Sequence, residues 1–382
     1  MKIYTTGILG INIALNNIPL NNIPLNNNFN RWIYDKPALL NQATKWSTEI
    51  PWIKPYYAVK ANPLPYILSD LINYRFNNFK IGLDVASQKE TKLALKYTNI
   101  ENTIYTNPHT ILNEIKKESN ENIQPFHIKV IDSLCELELL NKHNIKCPIL
   151  IRVNSDITKA KINFNSKFGA SMEEAYDIML LAQKYNYVIK GVSFHIGSGG
   201  DFSRKKAFQS TFFNNALPIL KYVEKSYYDE KPILNFGGGI LYNTDLKEAL
   251  GWTEHLPYKM IAEPGRYFAE PSHHLATQVI AITSKGLFLD NGVYHELNCF
   301  HRDHWTMPKL TYVIDNGQIQ NINNYKSTTI FGPTCDSYDT LGKQLLPEDI
   351  KIGDWILFPN MGAYTNAGLV EFNGISGAST II

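Results

Sequence analysis

Ile149-Leu150-Ile151-Arg152-Val153 is a short apolar run typical of a β-strand, and Val192-Ser193-Phe194-His195 is a second one. Between them, residues 172–181 read MEEAYDIMLL, with apolar side chains recurring at helical spacing. A strand, a helix and a second strand predict a β-α-β unit, in which the strands are parallel and the helix crosses one face of the sheet. This unit sets the pattern for most of the chain.

The same alternation extends in both directions from residues 149–195. Short β-rich runs also occur at residues 57–59, 81–83, 103–105, 127–130, 233–236 and 260–262, and residues 207–222 add a further helical pattern. Eight strands alternating with helices predict an α/β fold, a (β/α)8 TIM-type barrel over residues 37–270. The active site of such a barrel lies at the carboxyl ends of its strands. The candidate site residues are therefore those that end or follow the runs: Lys60, Asp84, Arg152, His195, Gly237 and Glu263.

The pattern changes after residue 270. Strand-like runs there are separated by the turn signals Asp290-Asn291-Gly292 and Asp315-Asn316-Gly317, with few helical stretches. This predicts a second, β domain made of residues 271–382 together with 29–36. Residues 15–28 read LNNIPLNNIPLNNN, which is too polar to build a core, so residues 1–28 are interpreted as an Asn/Pro-rich arm.

Composition excludes several classes of function. The net charge of +2 gives no reason to expect a nucleic acid or an anionic membrane as partner. Four cysteines without a CxxC pair suit reduced thiols in a cytoplasmic protein, and no Cys/His cluster has the spacing of a metal site. The apolar start of the chain resembles a signal peptide only faintly, and no apolar run reaches the roughly 18 residues of a membrane span.

Lys60 closes the apolar run in Pro55-Tyr56-Tyr57-Ala58-Val59-Lys60-Ala61-Asn62-Pro63. Partial desolvation there would favour the neutral amine that attacks aldehydes, although a lysine at a strand end is more often a solvated cap. Three glycine-rich segments follow predicted strands: residues 195–200 (HIGSGG), 237–239 (GGG) and 263–266 (EPGR). Glycine lets backbone N–H groups approach a phosphate, and one such segment alone could equally be an ordinary turn.

A phosphate cradle beside such a lysine indicates pyridoxal phosphate. The pyridinium of this cofactor is an electron sink and needs an acidic partner, for which Glu263 is correctly placed. His195 has its ring available to stack on the cofactor. The alternatives are a surface ion pair for Glu263 and a hydrogen-bonded core histidine for His195.

Seven motifs now resemble one known family. VKAN at Lys60, LDVASQKE at Asp84, SFHIGSGG, NFGGGI, AEPGRY, FGPTCDSYD and NMGAYT resemble, in order, the ornithine/diaminopimelate decarboxylases, fold type III of the pyridoxal-phosphate enzymes. They extend over about residues 32–373, and the pattern is most similar to ornithine decarboxylases. The resemblance implies a decarboxylase whose obligate head-to-tail homodimer shares its active sites.

The resemblance also implies a role for each matching residue. Lys60 would bond the cofactor aldehyde, with Asp84 and Glu90 near it and Arg152 in support. The remaining cofactor contacts would be His195 on the ring, Glu263 at the pyridinium, and, for the phosphate, Ser198, Gly238, Gly265, Arg266 and Tyr364. Cys335 would enter the site from the neighbouring subunit and protonate the substrate α-carbon. From the residues alone, a lone Cys is more often a small buried hydrophobe.

The substrate is predicted from the two carboxylates that ornithine decarboxylases place around the distal ammonium. Asp336 and Asp303 match them, and Tyr294 is a further candidate substrate-binding residue. Arg302 departs from the family, which has an uncharged aromatic residue there. Its guanidinium would either neutralise Asp303 or receive a carboxylate of a larger substrate.

Free L-ornithine, giving putrescine for polyamine biosynthesis, is therefore the leading substrate. An N-acylated (citryl) ornithine-like intermediate of carboxylate-siderophore biosynthesis is the alternative. Lysine or diaminopimelate, an alanine-racemase-like activity and a non-catalytic binding relative stay open as lesser alternatives; the loop with Cys335 favours decarboxylation over racemisation.

Overall fold

The computed structural model describes residues 1–7, 31–75, 80–110, 126–156, 159–226 and 230–381. These residues form two compact units. A β unit is formed by the described residues within 1–39 and 269–382, and a barrel unit by those within 40–268. The Asn/Pro-rich residues 15–28 lie outside the described residues.

Lys2–Thr5 (β1) and Arg31–Tyr34 (β2) precede the barrel strands, which are Ile53–Ala58 (β3), Gly82–Val85 (β4), Thr103–Tyr105 (β5), Lys129–Ile131 (β6), Ile149–Arg152 (β7), Ile189–Ser193 (β8), Ile233–Asn235 (β9) and Lys259–Ala262 (β10). Within the described residues, β3 to β10 pair in parallel in chain order, and β10 pairs with β3 to close the barrel. The predicted (β/α)8 barrel is confirmed.

Helices alternate with these strands. They are Lys36–Glu49 (α1), Pro65–Asn73 (α2), Gln88–Ala94 (α3), Leu134–Lys142 (α4), Met172–Lys184 (α5), Arg204–Thr211 (α6), Leu217–Ser226 (α7), Leu246–Leu250 (α8) and Arg266–Ala269 (α9). Local sequence sets their starts: Ser171 and Glu174 form a reciprocal capping box at α5. The helical pattern over residues 207–222 is divided by a π-helical turn, Phe212–Ala216, between α6 and α7.

Apolar side chains fill the middle of the barrel. Tyr56, Ile104, Val130, Leu150 and Ile261 belong to one buried cluster contributed by strands around the ring. Because side chains alternate along a strand, the residues two positions further on emerge at the carboxyl end of the barrel. This layer closes the barrel below the candidate site.

The β unit is built from β1, β2 and the strands His273–Thr283 (β11), Gly286–Leu289 (β12), Tyr312–Asp315 (β13), Gln318–Asn321 (β14), Tyr325–Phe331 (β15), Thr340–Pro347 (β16), Trp355–Phe358 (β17) and Ser379–Ile381 (β18); it also contains the short helix Cys299–Arg302 (α10). The sheet order is β14-β13-β1-β17-β11-β12-β15-β16, and β2 pairs with β11 and β18. The β architecture after residue 270 is as predicted.

The predicted turn at Asp315-Asn316-Gly317 joins β13 to β14. Asn316 and Gly317 both have positive φ, 48° and 76°, the conformation that short hairpin turns of Asn-Gly type require. Residues 2–5 differ from the interpretation of residues 1–28 as an arm, because they form β1 between β13 and β17. Four residues are too short for a periodic signal, and distant strands hold this one in place.

No helix in the described part of the chain is long and apolar enough to cross a membrane.

Candidate active site

Lys60 lies at the carboxyl end of β3, in the 3-10 turn Val59–Ala61. Its Nζ is 3.2 Å from Oδ2 of Asp84, a fully buried carboxylate on β4. The hydroxyl of Thr106 donates to the other carboxylate oxygen, Oδ1. The Lys60 side chain is 44% exposed, so it is ion-paired and open to solvent, where the sequence predicted partial desolvation. The geometry gives an accessible amine held by a fixed counter-charge.

Glu90 lies close to the same lysine, at the start of α3. Its Oε2 accepts a hydrogen bond of 2.7 Å from the backbone N–H of Ala86. Burial raises the pKa of the Glu90 carboxyl, while the positive charge of Lys60 opposes that rise. Asp84 and Glu90 therefore form an acidic surrounding for the amine.

Glu263 directly follows β10, and a buried amide orients its carboxylate. Nδ2 of Asn235, at the end of β9, donates to Glu263 Oε1 at 2.6 Å, and Oδ1 of Asn235 accepts from the N–H of Gly237 at 2.9 Å. Burial and then the charge of Asp84 raise the pKa of the Glu263 carboxyl to about 7, against the opposing effects of Lys60, Asn235 and Arg152. Such a carboxyl is suited to a cationic ligand group.

Arg152 ends β7 at the same end of the barrel. Its guanidinium lies 4.9 Å over the Phe168 ring, and its charge acts on Glu263, Asp132 and Asp84. Burial lowers its pKa, but an arginine with this many acidic neighbours stays charged. It supplies a fixed positive charge behind the site.

His195 lies two residues after β8, with its Nδ1 accepting from the N–H of Gly197 at 3.0 Å. The edge of the ring meets Phe164, with centroids 4.7 Å apart. Burial, followed by the charges of Arg152 and Lys60, holds the His195 pKa well below its usual range. The ring is therefore neutral at pH 7.

The predicted glycine-rich segments lie together beside His195. A Cβ on Gly238 would be 2.6 Å from His195 Nε2, and a Cβ on Gly237, at φ 59°, would be 2.1 Å from a backbone oxygen. Arg266, at the start of α9 and next to Gly265, donates from Nε to Ser198 Oγ at 3.0 Å. Only glycine fits this turn, and the two side chains add donors to it.

The β unit holds the remaining candidates. The hydroxyl of Tyr294 donates to Asp336 Oδ2, and the Tyr294 ring stacks on Phe372 at 4.4 Å. That hydrogen bond lowers the pKa of Asp336 and raises the pKa of Tyr294 to about 12. Asp336 is thus an ionised, partly exposed carboxylate.

Cys335 is an exposed thiol whose backbone N–H donates to Asn373 Oδ1 at 3.0 Å. Arg302 is exposed and lies against Gly368, where a Cβ would be 1.9 Å from its Nη1. Tyr364 has a φ of 60°, which is rare for a bulky residue and often marks a functional segment.

Two residues were missed from the sequence. Asn235 is one, although an amide inside the apolar run ILNF was a visible signal. Asp339 is the other: fully buried, it accepts from the N–H of Val293 at 2.8 Å and from the N–H and hydroxyl of Thr334 at 3.0 and 2.7 Å. It therefore binds together the loops that carry Tyr294 and Asp336.

The barrel residues offer a partner for three groups of pyridoxal phosphate: its aldehyde, its phosphate and its ring nitrogen. Lys60 offers an amine for the aldehyde, and the glycine turn with Ser198 and Arg266 offers donors for the phosphate. Glu263 is a half-buried carboxyl, and its raised pKa indicates a place where a positively charged group is favoured. No group of three His, Cys, Asp or Glu side chains in the described residues is arranged to bind a metal.

Residues 37–270 match the family described as "Pyridoxal-dependent decarboxylase, pyridoxal binding domain". The chain is 32% identical over 376 residues to a probable ornithine decarboxylase of Dictyostelium discoideum, covering 90% of this chain and 77% of that one. Among solved structures, lysine decarboxylase from Selenomonas ruminantium is 27% identical with a TM-score of 0.78, covering 98% of this chain and 94% of that chain. The putrescine complex of lysine/ornithine decarboxylase from Vibrio vulnificus is 25% identical with a TM-score of 0.73, covering 92% and 93%.

The chain belongs to the pyridoxal-dependent decarboxylase family. It is a pyridoxal-phosphate-dependent decarboxylase, as the sequence predicted.

Proposed function

We propose that this decarboxylase acts on a basic L-amino acid and that its substrate is L-ornithine, which it converts to putrescine. The observation that carries the proposal is the ionised carboxylate of Asp336, held by Tyr294. A carboxylate kept charged in this way is a partner for a substrate ammonium. The named activities of the related ornithine and lysine/ornithine decarboxylases support the same substrate class.

The barrel residues would hold the cofactor. Lys60 would bond its aldehyde end, Glu263 would face the ring nitrogen, and Ser198, Gly238, Gly265, Arg266 and Tyr364 would bind the phosphate. The bound cofactor supplies an electron sink for the electron pair that remains when carbon dioxide leaves. His195, neutral because of its burial, can lie flat against an aromatic ring without adding a second positive charge.

The charged residues around Lys60 and Glu263 would then determine whether these two groups are protonated. Asp84 holds the lysine ammonium at 3.2 Å, and the Thr106 hydroxyl keeps the Asp84 carboxylate in place. Asn235 and Arg152 favour the ionised form of Glu263, which a protonated ring nitrogen requires. These residues position the cofactor and its charge without taking part in bond making.

We propose Cys335 as the donor of the proton that replaces the lost carboxylate on the α-carbon. Its thiol is exposed, and a thiol can act as a general acid. The family resemblance implies that Cys335 and Asp336 act in the site of a second copy of the chain. The functional unit is therefore proposed to be a homodimer, and its compartment the cytoplasm, where free thiols such as the four in this chain stay reduced.

Arg302 supports a second candidate substrate, an N-acylated ornithine with a tail carboxylate, such as N-citrylornithine. Acylation removes the positive charge of the distal amine, so Asp336 and Asp303 would lose their partner. Arg302 is exposed, so its guanidinium can bind a carboxylate of a larger substrate.

One assay separates the candidates. Carbon dioxide release is measured for the holoenzyme with ornithine, lysine, diaminopimelate and N-citrylornithine, using wild type, Asp336→Asn and Arg302→Ala. If ornithine is the substrate, Asp336→Asn lowers kcat/KM for ornithine about 10- to 100-fold, the value of a charge-assisted hydrogen bond, and Arg302→Ala changes it little. Turnover of N-citrylornithine alone, lost in Arg302→Ala, would overturn the ornithine proposal.

A further inference from the structure

Arg204 is a half-buried cation at the glycine turn that has no part in the site described above. It is the first residue of α6, after the N-cap Ser203. Its Nε donates a hydrogen bond of 3.1 Å to the backbone oxygen of Gly239. The side chain is therefore fixed to the same Gly237–239 turn that meets His195.

One nitrogen of this guanidinium lacks a partner. Among the described residues, nothing forms a hydrogen bond with Arg204 Nη2, although the atom is buried from solvent. Buried polar groups are almost always hydrogen-bonded, and a charged donor left unpaired is costly. Burial lowers the Arg204 pKa and the nearby Asp201 raises it, but an arginine keeps its charge under such influences. The arrangement calls for an anionic acceptor.

The surrounding turn indicates which anion. Gly239 has a φ of 94°, and a Cβ there would lie 2.5 Å from Ile196 and 2.6 Å from the Gly197 oxygen, so the Gly237–239 turn packs directly against the segment of Ser198. Ser198 is also bonded to Arg266. Two arginines thus attach to adjoining turns, and a group with several acceptor oxygens can bind both.

We propose that Arg204 is a further binding residue for the phosphate group of the cofactor, with Nε fixing the Gly239 carbonyl and Nη2 donating to a phosphate oxygen. This inference rests on the proposed placement of the phosphate at the glycine turns. It adds a second arginine to Arg266, from a helix that the sequence motifs do not include.

The test compares pyridoxal phosphate with pyridoxal, which lacks the phosphate. Affinities of the full-length apoprotein for both are measured by equilibrium dialysis for wild type, Arg204→Gln and Arg266→Gln, with the exposed neighbour Lys206→Gln as control. Arg204→Gln is expected to weaken binding of pyridoxal phosphate about 10- to 100-fold, the value of a hydrogen bond to a charged group, and to leave pyridoxal unchanged. Lys206→Gln changes neither affinity.

Other results would contradict the proposal, and they distinguish an error about Arg204 from an error about the phosphate placement. Equal weakening of both ligands by Arg204→Gln would mean that the residue only shapes the turn, and no weakening would remove its role altogether. If Arg266→Gln also fails to distinguish the two ligands, the proposed phosphate placement is wrong, rather than the inference about Arg204 alone.

A second measurement tests the proposal even if Arg204→Gln does not fold well. Inorganic phosphate should raise the Tm of wild-type apoprotein, because a ligand that binds the folded state stabilises it. Arg204→Lys keeps the charge but lacks the forked donor, so it should lose most of that increase. An undiminished increase in Arg204→Lys would overturn the proposal.

Discussion

Replacing Glu263 by glutamine should stabilise the apoprotein at alkaline pH and lower its affinity for the cofactor. The Glu263 carboxyl has a pKa of about 7 in the folded chain against an ordinary value of 4.5, mainly because of burial and then because of Asp84. Between these two pH values the folded chain holds a proton that the unfolded chain has released. Stability therefore falls as pH rises from about 4.5 through about 7.

The size of the effect follows from that difference. A rise of about 2.5 pKa units, at 1.36 kcal/mol per unit, corresponds to about 3 kcal/mol above pH 7 as an upper limit, since Asp84 shares the interaction. Glutamine has no charge to bury and can still accept the Asn235 hydrogen bond. Glu263→Gln should match wild type at about pH 4.5 and exceed it by up to about 3 kcal/mol at about pH 8.

Urea unfolding of the two apoproteins across this pH range measures the difference directly. The exposed variant Glu173→Gln controls for the loss of a carboxylate as such. The same Glu263→Gln protein should bind pyridoxal phosphate more weakly, as expected where a site sacrifices stability for function. A stability difference that does not change with pH, or a variant less stable than wild type at about pH 8, would show that the Glu263 carboxyl does not have this raised pKa.

Two further predictions concern the glycine turn and the assembly. Gly238→Ala places a Cβ 2.6 Å from His195 Nε2. It should raise the cofactor Kd by about 5- to 150-fold, the equivalent of about 1–3 kcal/mol of overpacking. The control Gly251→Ala places its Cβ in open space and should leave the Kd unchanged, and equilibrium dialysis of both variants measures the difference. Mixing Lys60→Ala and Cys335→Ala proteins should restore part of the formation of the amine product, because hybrid dimers contain one intact site. Confirmed subunit exchange without recovery would argue against shared sites.

The barrel could be predicted from the sequence because its signals are local. Each strand is an apolar run of the right length, and Glu263 and Lys60 follow their runs directly, so strand ends and candidate residues were found together. Glycine-rich segments could be assigned to one end of the barrel for the same reason.

What could not be predicted depends on distant partners. β1 is four residues long, and its place between β13 and β17 is set by residues some 310 to 350 positions away. Asn235 begins the NFGGGI motif and Arg204 lies outside the motifs; the roles of both follow from hydrogen bonds to Glu263 and Gly239 that only the folded chain creates. Lys60 was expected to be partly desolvated, but its side chain is 44% exposed in the folded chain.

Lys60 is proposed to be the residue that bonds the aldehyde of the cofactor. Borohydride reduction of the holoenzyme, followed by peptide mapping, reports which lysine carries the pyridoxyl group. The tag should be on Lys60. Lys54 is the most demanding competitor, because burial lowers its pKa to about 8 and makes its amine more reactive. A tag on Lys54 or on any other lysine, with Lys60 unmodified, would show that Lys60 does not bond the cofactor.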